Sequence, residues 1–269
     1  MEGKERCMGR SKKTQSREVE LVAPGYWERS RRPLEILLFL LPLVLIYEIG
    51  LIVLLKSDTG ILTNKAHHEI IRLFDLFGVT SAAMSLPGLC LPGIVLVVVL
   101  VLWQFLGRFD WTVNLSTLGG MLIESMILAM PLLIIGQVIA RSVPLLATSP
   151  GDLQQLSIAG RIVLSIGAGL YEELIFRMLI IAVVHTILVD FWKMSEFWGI
   201  TIAITVSTIC FTLYHPLVAA DGGYSLQRIF FFLIGGAYFG LLFVFRGFGI
   251  VVAVHAIYDI IALVLVPSG

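Results

Sequence analysis

The chain has 269 residues, of which 58% are hydrophobic and 14% are charged, and its mean hydropathy is +0.94. Soluble domains carry about 25% charged residues, so this composition excludes an ordinary soluble protein and indicates an integral membrane protein. Lys plus Arg and Asp plus Glu number 19 each, and the resulting net charge of zero identifies no class of partner.

The first 34 residues form a basic segment that differs from the rest of the chain. They carry nine of the 19 Lys and Arg residues and contain no long apolar run. A signal peptide would place a short apolar core soon after its charges, whereas the first apolar run here is long and late. We therefore predict that residues 1–34 are a basic cytoplasmic tail lying on anionic lipid. Without an accompanying aromatic or glycine pattern, we expect no nucleic-acid partner.

Apolar runs long enough to cross a bilayer, about 20 residues each, recur through the remainder. They lie at roughly 36–55, 89–106, 118–140, 157–185, 198–217, 229–245 and 249–266. Backbone polar groups in lipid must be satisfied within each segment, so these runs predict an all-α bundle of about seven transmembrane helices.

Alternating the seven spans from a cytoplasmic N-terminus places twelve Lys and Arg residues inside and five outside. The positive-inside rule favours this arrangement. We expect a multi-pass protein of the plasma (inner) membrane with its N-terminus in the cytoplasm.

The stretch KAHHEIIRLFDLFG, residues 65–78, separates the first two spans. Its apolar residues recur at helical spacing, which predicts an amphipathic helix lying on the outer interface. Neighbouring His67 and His68 would point about 100° apart on that helix. We expect them to have a surface role rather than to share a metal.

Two isolated carboxylates lie in otherwise apolar spans. Glu48 and Glu124 each have the ordinary explanation of a hydrogen bond to a neighbouring helix or a place near the headgroups. Glu48 is retained as a candidate for a proton path, and Glu124 is not.

A larger set of polar residues falls within the last apolar runs: Glu172, Glu173, Arg177, His215, His255 and Asp259. Glu173 and Arg177 are four residues apart on one helix, so they can form an ion pair that lowers the cost of burying both. The adjacent Glu172 points about 100° away and stays outside that pair. His255 and Asp259 are also four apart, which allows the carboxylate to orient the imidazole.

Such a set could be a buried polar network that holds four helices in register, or a chemical site. Ionisable groups inside a membrane are costly and usually functional, and their concentration in so poorly charged a chain favours a site. A carboxylate can act as general base while a histidine polarises water or stabilises an oxyanion. We interpret the set as a site for adding activated water to a carbonyl.

Three motifs in this region resemble the signature of a known family. Residues 172–177 are EExxFR, residues 211–215 are FxxxH and residues 255–259 are HAxxD. In this order, on separate membrane helices, they resemble the CAAX-protease and bacteriocin-processing (CPBP) family, which includes the type II CAAX prenyl endopeptidases. The resemblance covers about residues 157–266.

The resemblance implies an intramembrane endopeptidase in which Glu172 and His215 activate water. It also implies that His255 and Asp259 stabilise the tetrahedral oxyanion. The prenyl-protease branch commonly has Asn at the last position, and an ionised carboxylate cannot donate to an oxyanion. Asp259 would therefore be protonated, orient His255 or bind a metal.

The resemblance also implies that Glu173 and Arg177 are a supporting ion pair. The family has been described both as metalloproteases and as metal-free glutamate proteases, so a divalent metal such as zinc is possible. We favour the metal-free mechanism because Glu173 is already paired with Arg177. The expected partners are membrane lipids and a peptide or protein substrate, with or without a lipid group.

These expectations divide the chain into the tail (1–34), N-terminal transmembrane helices (35–156) and a CPBP-like catalytic core (157–269). A catalytically silent scaffold or immunity-type protein is the alternative. A proton-coupled transporter is disfavoured, because the sequence has no repeated halves. For the two histidines to meet, we predict that the fifth helix continues to about Ala220 and that the seventh starts near Phe245.

Overall fold

A computed structural model describes residues 24–57, 60–61, 63–76, 78, 90–142, 156–219 and 222–265. Its helices are α1 (Tyr26–Arg29), α2 (Pro33–Leu54), α3 (Lys65–Leu76), α4 (Leu91–Leu106), α5 (Leu115–Ser142), α6 (Ile158–Phe191), α7 (Glu196–Tyr214), α8 (Leu226–Arg246) and α9 (Phe248–Ile260, continued by a π-helical turn at Ile261–Leu265). Two-residue strands, β1 (Lys56–Ser57) and β2 (Gly60–Ile61), pair in antiparallel fashion between α2 and α3.

The prediction of an all-α polytopic membrane bundle is confirmed. In the described part of the chain, five helices are long and apolar enough to cross a membrane, namely α2, α5, α6, α7 and α8. The helices at Leu91–Leu106 and Phe248–Val264 are apolar but shorter than 18 residues. Most of the predicted tail, residues 1–23, lies outside the described residues.

Helix α9 occupies the centre of the bundle, where it packs against α6 and α5. All residues from Phe248 to Ala256 are buried. Glycines on α6 allow this packing: a Cβ on Gly169 would lie 2.8 Å from both Val252 O and Ala256 N. Small residues at helix contacts let backbones approach closely in membranes, so the α6 sequence brings its carboxylates up against α9.

We expect Gly169→Ala to lower the free energy of unfolding by about 1–3 kcal/mol, because the added methyl group would meet backbone atoms that cannot move aside. Gly235→Ala on α8 is the matched control, since a Cβ there meets nothing within 4 Å. Chemical unfolding in detergent micelles measures both variants. An unchanged Gly169→Ala protein would contradict the close approach of α6 and α9.

Helix α3 is present as predicted, but the surface position expected for His67 was wrong. The side chain of His67 is buried, and its ring lies 5.5 Å from that of Tyr47 and 5.0 Å from that of Tyr171. His68 is exposed. The imidazole packs against aromatic rings from α2 and α6. A prediction based on hydrophobicity alone places a histidine at the surface and misses this contact.

Candidate functional site

The first part of the site is a buried ion pair on α6. Nε of Arg177 lies 3.1 Å from Oε2 of Glu173, and both side chains are fully buried. The helix changes here from α-helical (Ile158–Glu173) to π-helical (Leu174–Ile181). π-Helical turns inside α-helices are frequent at functional sites. The ion pair predicted from the spacing of the two residues is present.

Arg177 contacts more than one kind of partner. Its Nη2 donates to the carbonyl oxygen of Gly236 on α8 at 3.2 Å. Its guanidinium carbon lies 4.3 Å from the ring centre of Phe211 and 5.3 Å from that of Phe239. A buried cation is tolerated where a carboxylate, a carbonyl and aromatic faces surround it, so Arg177 ties α6 to α7 and α8.

Glu173 has a second partner that sequence analysis missed. Its Oε1 lies 2.6 Å from Nδ1 of His255 on α9, a residue 82 positions later in the chain. The imidazole is stacked on Phe239, with ring centres 4.6 Å apart and an interplanar angle of 17°. No motif spacing reveals a contact between two helices, and only packing of α6 against α9 brings this pair together.

The other nitrogen of His255 faces Asp259. Nε2 and Oδ2 are 3.5 Å apart, as expected for residues one helical turn apart. His255 is thus held between two carboxylates, one on each side of the ring. This arrangement fixes the orientation of the imidazole and leaves Nε2 on the Asp259 side as the nitrogen that a substrate could reach.

Glu172 meets a histidine on a different helix. Its Oε2 lies 3.5 Å from Nε2 of His215, which follows the last residue of α7. Nδ1 of His215 is 2.7 Å from the carbonyl of Phe211, and a carbonyl only accepts, so Nδ1 carries the proton. The Nε2 atom therefore faces Glu172, and Phe232 stacks on the ring at 4.1 Å.

The predicted helix limits around the two histidines were wrong. Helix α7 ends at Tyr214 rather than near Ala220, and α9 begins at Phe248 rather than near Phe245. The prediction shifted these two helix ends so that both histidines would lie near the middle of the membrane. Because α9 starts inside the bundle, surrounded by protein, its second turn already lies level with the site.

His215 and His255 are nevertheless close to a common neighbour. The ring centre of Phe211 lies 4.4 Å from that of His215 and 6.2 Å from that of His255. The structure therefore brings Glu172, Glu173 and both histidines into one cluster, together with Arg177 and Asp259.

Helix α3 also reaches the site, which the motifs did not indicate. Nζ of Lys65 donates to the carbonyl of Tyr214 at 2.8 Å and lies 4.0 Å from the ring centre of Tyr214. The last carbonyls of a helix have no partner within it, and a lysine ammonium suits them. The side chain of Asn64, which caps α3 by accepting from Ala66 N at 2.8 Å, is a polar neighbour of Glu172.

The two isolated carboxylates have local partners elsewhere. Oε1 of Glu48 accepts from the hydroxyl of Tyr171 at 2.7 Å. Glu124 accepts from Tyr26 at 2.5 Å and is paired with Arg246, whose guanidinium lies 3.7 Å from the ring centre of Trp27. Burial and the hydrogen bond to Glu124 raise the pKa of Tyr26 to about 12, so this phenol remains a donor.

The donor set does not fit a zinc ion. Within the described ranges, no group of three or more His, Cys, Asp or Glu side chains is arranged to hold a metal. Glu173 is itself shared with Arg177.

The bundle and this cluster define a polytopic helical membrane protein with a buried carboxylate and imidazole site. Residues 154–261, which contain α6, α7, α8 and all three motifs, match the profile of the family described as type II CAAX prenyl endopeptidase, Rce1-like. The resemblance drawn from the motifs is therefore confirmed for this segment of the chain. At family level the match supports a CAAX-protease-like intramembrane endopeptidase. No curated protein and no solved structure matches the chain.

Proposed function

We propose that this protein is an intramembrane endopeptidase in which side chains activate water to hydrolyse a peptide bond. The observation that carries the proposal is the meeting of Glu172 and His215 at 3.5 Å, from two different helices. At this separation a single water molecule can contact both groups. General-base catalysis needs the base within hydrogen-bond reach of the proton that it removes, and this geometry provides that reach.

Glu172 is the proposed general base, and His215 positions the attacking water. The contact of His215 with the Phe211 carbonyl keeps the proton on Nδ1, so Nε2 is directed at the water. Stacking of the ring on Phe232 limits its rotation. Holding both groups before the substrate arrives lowers the entropic cost of reaching the transition state.

His255 is the proposed oxyanion donor. Its contact with Glu173 at 2.6 Å fixes the ring, and Nε2 is the nitrogen that would donate to the developing negative charge. Asp259 orients the same nitrogen from 3.5 Å. Arg177 holds Glu173 in place and does not reach the reacting atoms, so this ion pair has a supporting role.

The proposed substrate is a peptide or protein segment, with or without a lipid group. The proposed location is the plasma (inner) membrane with the N-terminus in the cytoplasm, as the charge distribution favours. Residues 157–269 would be the catalytic core, preceded by the N-terminal helices (35–156) and the tail (1–34).

Cleavage of a peptide library by the detergent-purified protein tests the proposal. Glu172→Ala is compared with wild type and with Glu196→Ala, an exposed glutamate at the start of α7. Cleavage that is lost only in Glu172→Ala and survives a chelator is the expected result. If the folded wild type cuts nothing, the silent scaffold replaces the peptidase.

Replacing Lys65 should slow turnover without unfolding the protein. We expect Lys65→Met to lower kcat roughly tenfold, because the end of α7 that carries His215 loses its partner and small displacements of reacting groups are costly. Lys65→Arg should restore most of the rate. The control is Arg72→Met, which removes an exposed cation from the same helix. Equal kcat values in Lys65→Met and wild type would exclude this positioning role.

A further inference from the structure

The sequence contains two asparagines, Asn64 and Asn114, and each caps the start of a helix. Oδ1 of Asn64 accepts from the backbone N–H of Ala66 at 2.8 Å. Oδ1 of Asn114 accepts from that of Ser116, also at 2.8 Å. Such a cap satisfies an N–H group that has no partner within its own helix. Because the cap uses only the amide oxygen, the amide nitrogen of either side chain can donate elsewhere.

Asn64 and Asn114 differ in what lies beside them. The side chain of Asn64 is a hydrogen-bonding neighbour of the carboxylate of Glu172 on α6. An ionised carboxylate only accepts hydrogen bonds, so the amide nitrogen of Asn64 is the group that serves Glu172. Asn114 instead borders a surface hollow together with Arg29 of the N-terminal segment. The two caps are therefore alike in their own helices, and one of them also contacts the site.

The start of α3 is held in place by buried aromatic rings of α2 and α6. The backbone N–H of Asn64 donates to the hydroxyl of Tyr47 at 3.5 Å. The ring of Tyr47 packs over Gly167 of α6, where a Cβ would lie 2.1 Å from it. The ring of His67 lies 5.0 Å from that of Tyr171, the residue directly before the proposed base. The rings of Tyr47, His67 and Tyr171 are all fully buried, so the position of Asn64 against α6 is set by packed groups.

The residue after Asn64 contacts the other half of the proposed water-activating pair. Nζ of Lys65 donates to the carbonyl of Tyr214 at 2.8 Å, and Tyr214 directly precedes His215. Two consecutive residues at the start of α3 thus contact the glutamate on α6 and the end of α7 that carries the histidine. This part of α3 bridges the two groups that meet at 3.5 Å.

We propose that Asn64 is a positioning residue of the reaction, which donates from its amide nitrogen to Glu172 and holds that carboxylate toward His215. Asn64 does not touch the reacting atoms and acts through Glu172. A donor fixed on the carboxylate limits its rotation, and reacting groups held in advance lower the entropic cost of the transition state. The inference rests on the proposed function and adds a residue from outside the matched segment, residues 154–261.

Asn64→Ser separates positioning from capping. Serine caps a helix about as well as asparagine, but it has no amide nitrogen to donate to Glu172. With the quenched peptide that the library experiment finds to be cut fastest, we expect kcat to fall roughly tenfold, while KM and the unfolding midpoint stay close to those of wild type. Asn114→Ser, the matched cap variant, should leave kcat unchanged. A wild-type kcat in Asn64→Ser would mean that Asn64 only caps α3 and would overturn the inference.

A stability cycle tests the contact without any turnover. Asn64→Asp keeps the capping oxygen but places a second carboxylate beside Glu172. We expect it to lower the midpoint of chemical unfolding in wild type and to lower it much less in the Glu172→Gln background, where the neighbour is neutral. Asn114→Asp should behave alike in both backgrounds.

The two experiments together distinguish the possible failures. Equal shifts of the midpoint by Asn64→Asp in the two backgrounds would show that Asn64 does not bind Glu172, and this would overturn the inference even in an active peptidase. Unequal shifts in a folded protein that cuts no peptide would instead refute the peptidase, and the positioning role with it, while the contact itself would stand.

Discussion

Glu172→Gln and His215→Gln should each reduce kcat for peptide cleavage by roughly a thousandfold, and combining them should reduce it little further. Both side chains are proposed to act on one water, and groups that act as a unit have grossly non-additive effects. The amide introduced by Glu172→Gln would retain the shape of the carboxylate but could not accept a proton. Initial rates with saturating peptide, measured on protein in lipid nanodiscs, give the three values.

The interpretation depends on variants that fold. Replacing a charged group by a neutral one of equal shape at Glu172 leaves no cavity, and the carboxylate has no ion pair with Arg177, which is bound by Glu173. We therefore expect unfolding temperatures close to that of wild type. Additive losses in the double variant would show that the two residues act in different steps and would contradict a shared water.

The sequence was sufficient for interactions within one helix. The pairs formed by Glu173 with Arg177 and by His255 with Asp259 follow from a spacing of four residues, and both are found at 3.1 Å and 3.5 Å. The membrane bundle follows from composition and run length alone. These features depend on helical geometry, which any apolar segment of the right length adopts.

Contacts between helices could not be obtained in this way. Glu173 and His255 meet because glycine at position 169 lets α6 and α9 approach closely, and no periodicity encodes that crossing. Glu124, set aside as an isolated carboxylate, proves to be the partner of Arg246. The relative depths of His215 and His255 were likewise misjudged. His255 lies on α9, and the level at which α9 begins depends on the protein that surrounds it.

The contribution of α3 was hidden for a related reason. Its amphipathic pattern predicted the helix. In the sequence, however, nothing distinguishes Lys65 from any other exposed lysine, and only the structure places the end of α7 beside it. The matched family segment begins at residue 154, so α3 lies outside it. A part of the site thus comes from the half of the chain in which no motif was found.

Arg177→Met should be the most destabilising single substitution in the site. It leaves the carboxylate of Glu173 fully buried with only His255 beside it, and breaking a buried ion pair by removing one partner costs about 3–5 kcal/mol of unfolding free energy. Adding Glu173→Gln should recover much of this loss, because the double variant no longer buries an unpaired charge and Gln can still accept from Nδ1 of His255.

Chemical unfolding in mixed detergent micelles, with Arg72→Met as the exposed control, measures these energies. A double variant no more stable than Arg177→Met would mean that Arg177 stabilises the bundle through Gly236 and the aromatic rings rather than through Glu173. Recovery of stability without recovery of cleavage is the outcome that fits the proposed function. Glu173 would then be dispensable for folding once Arg177 is absent, yet needed as a carboxylate to hold His255 for the oxyanion.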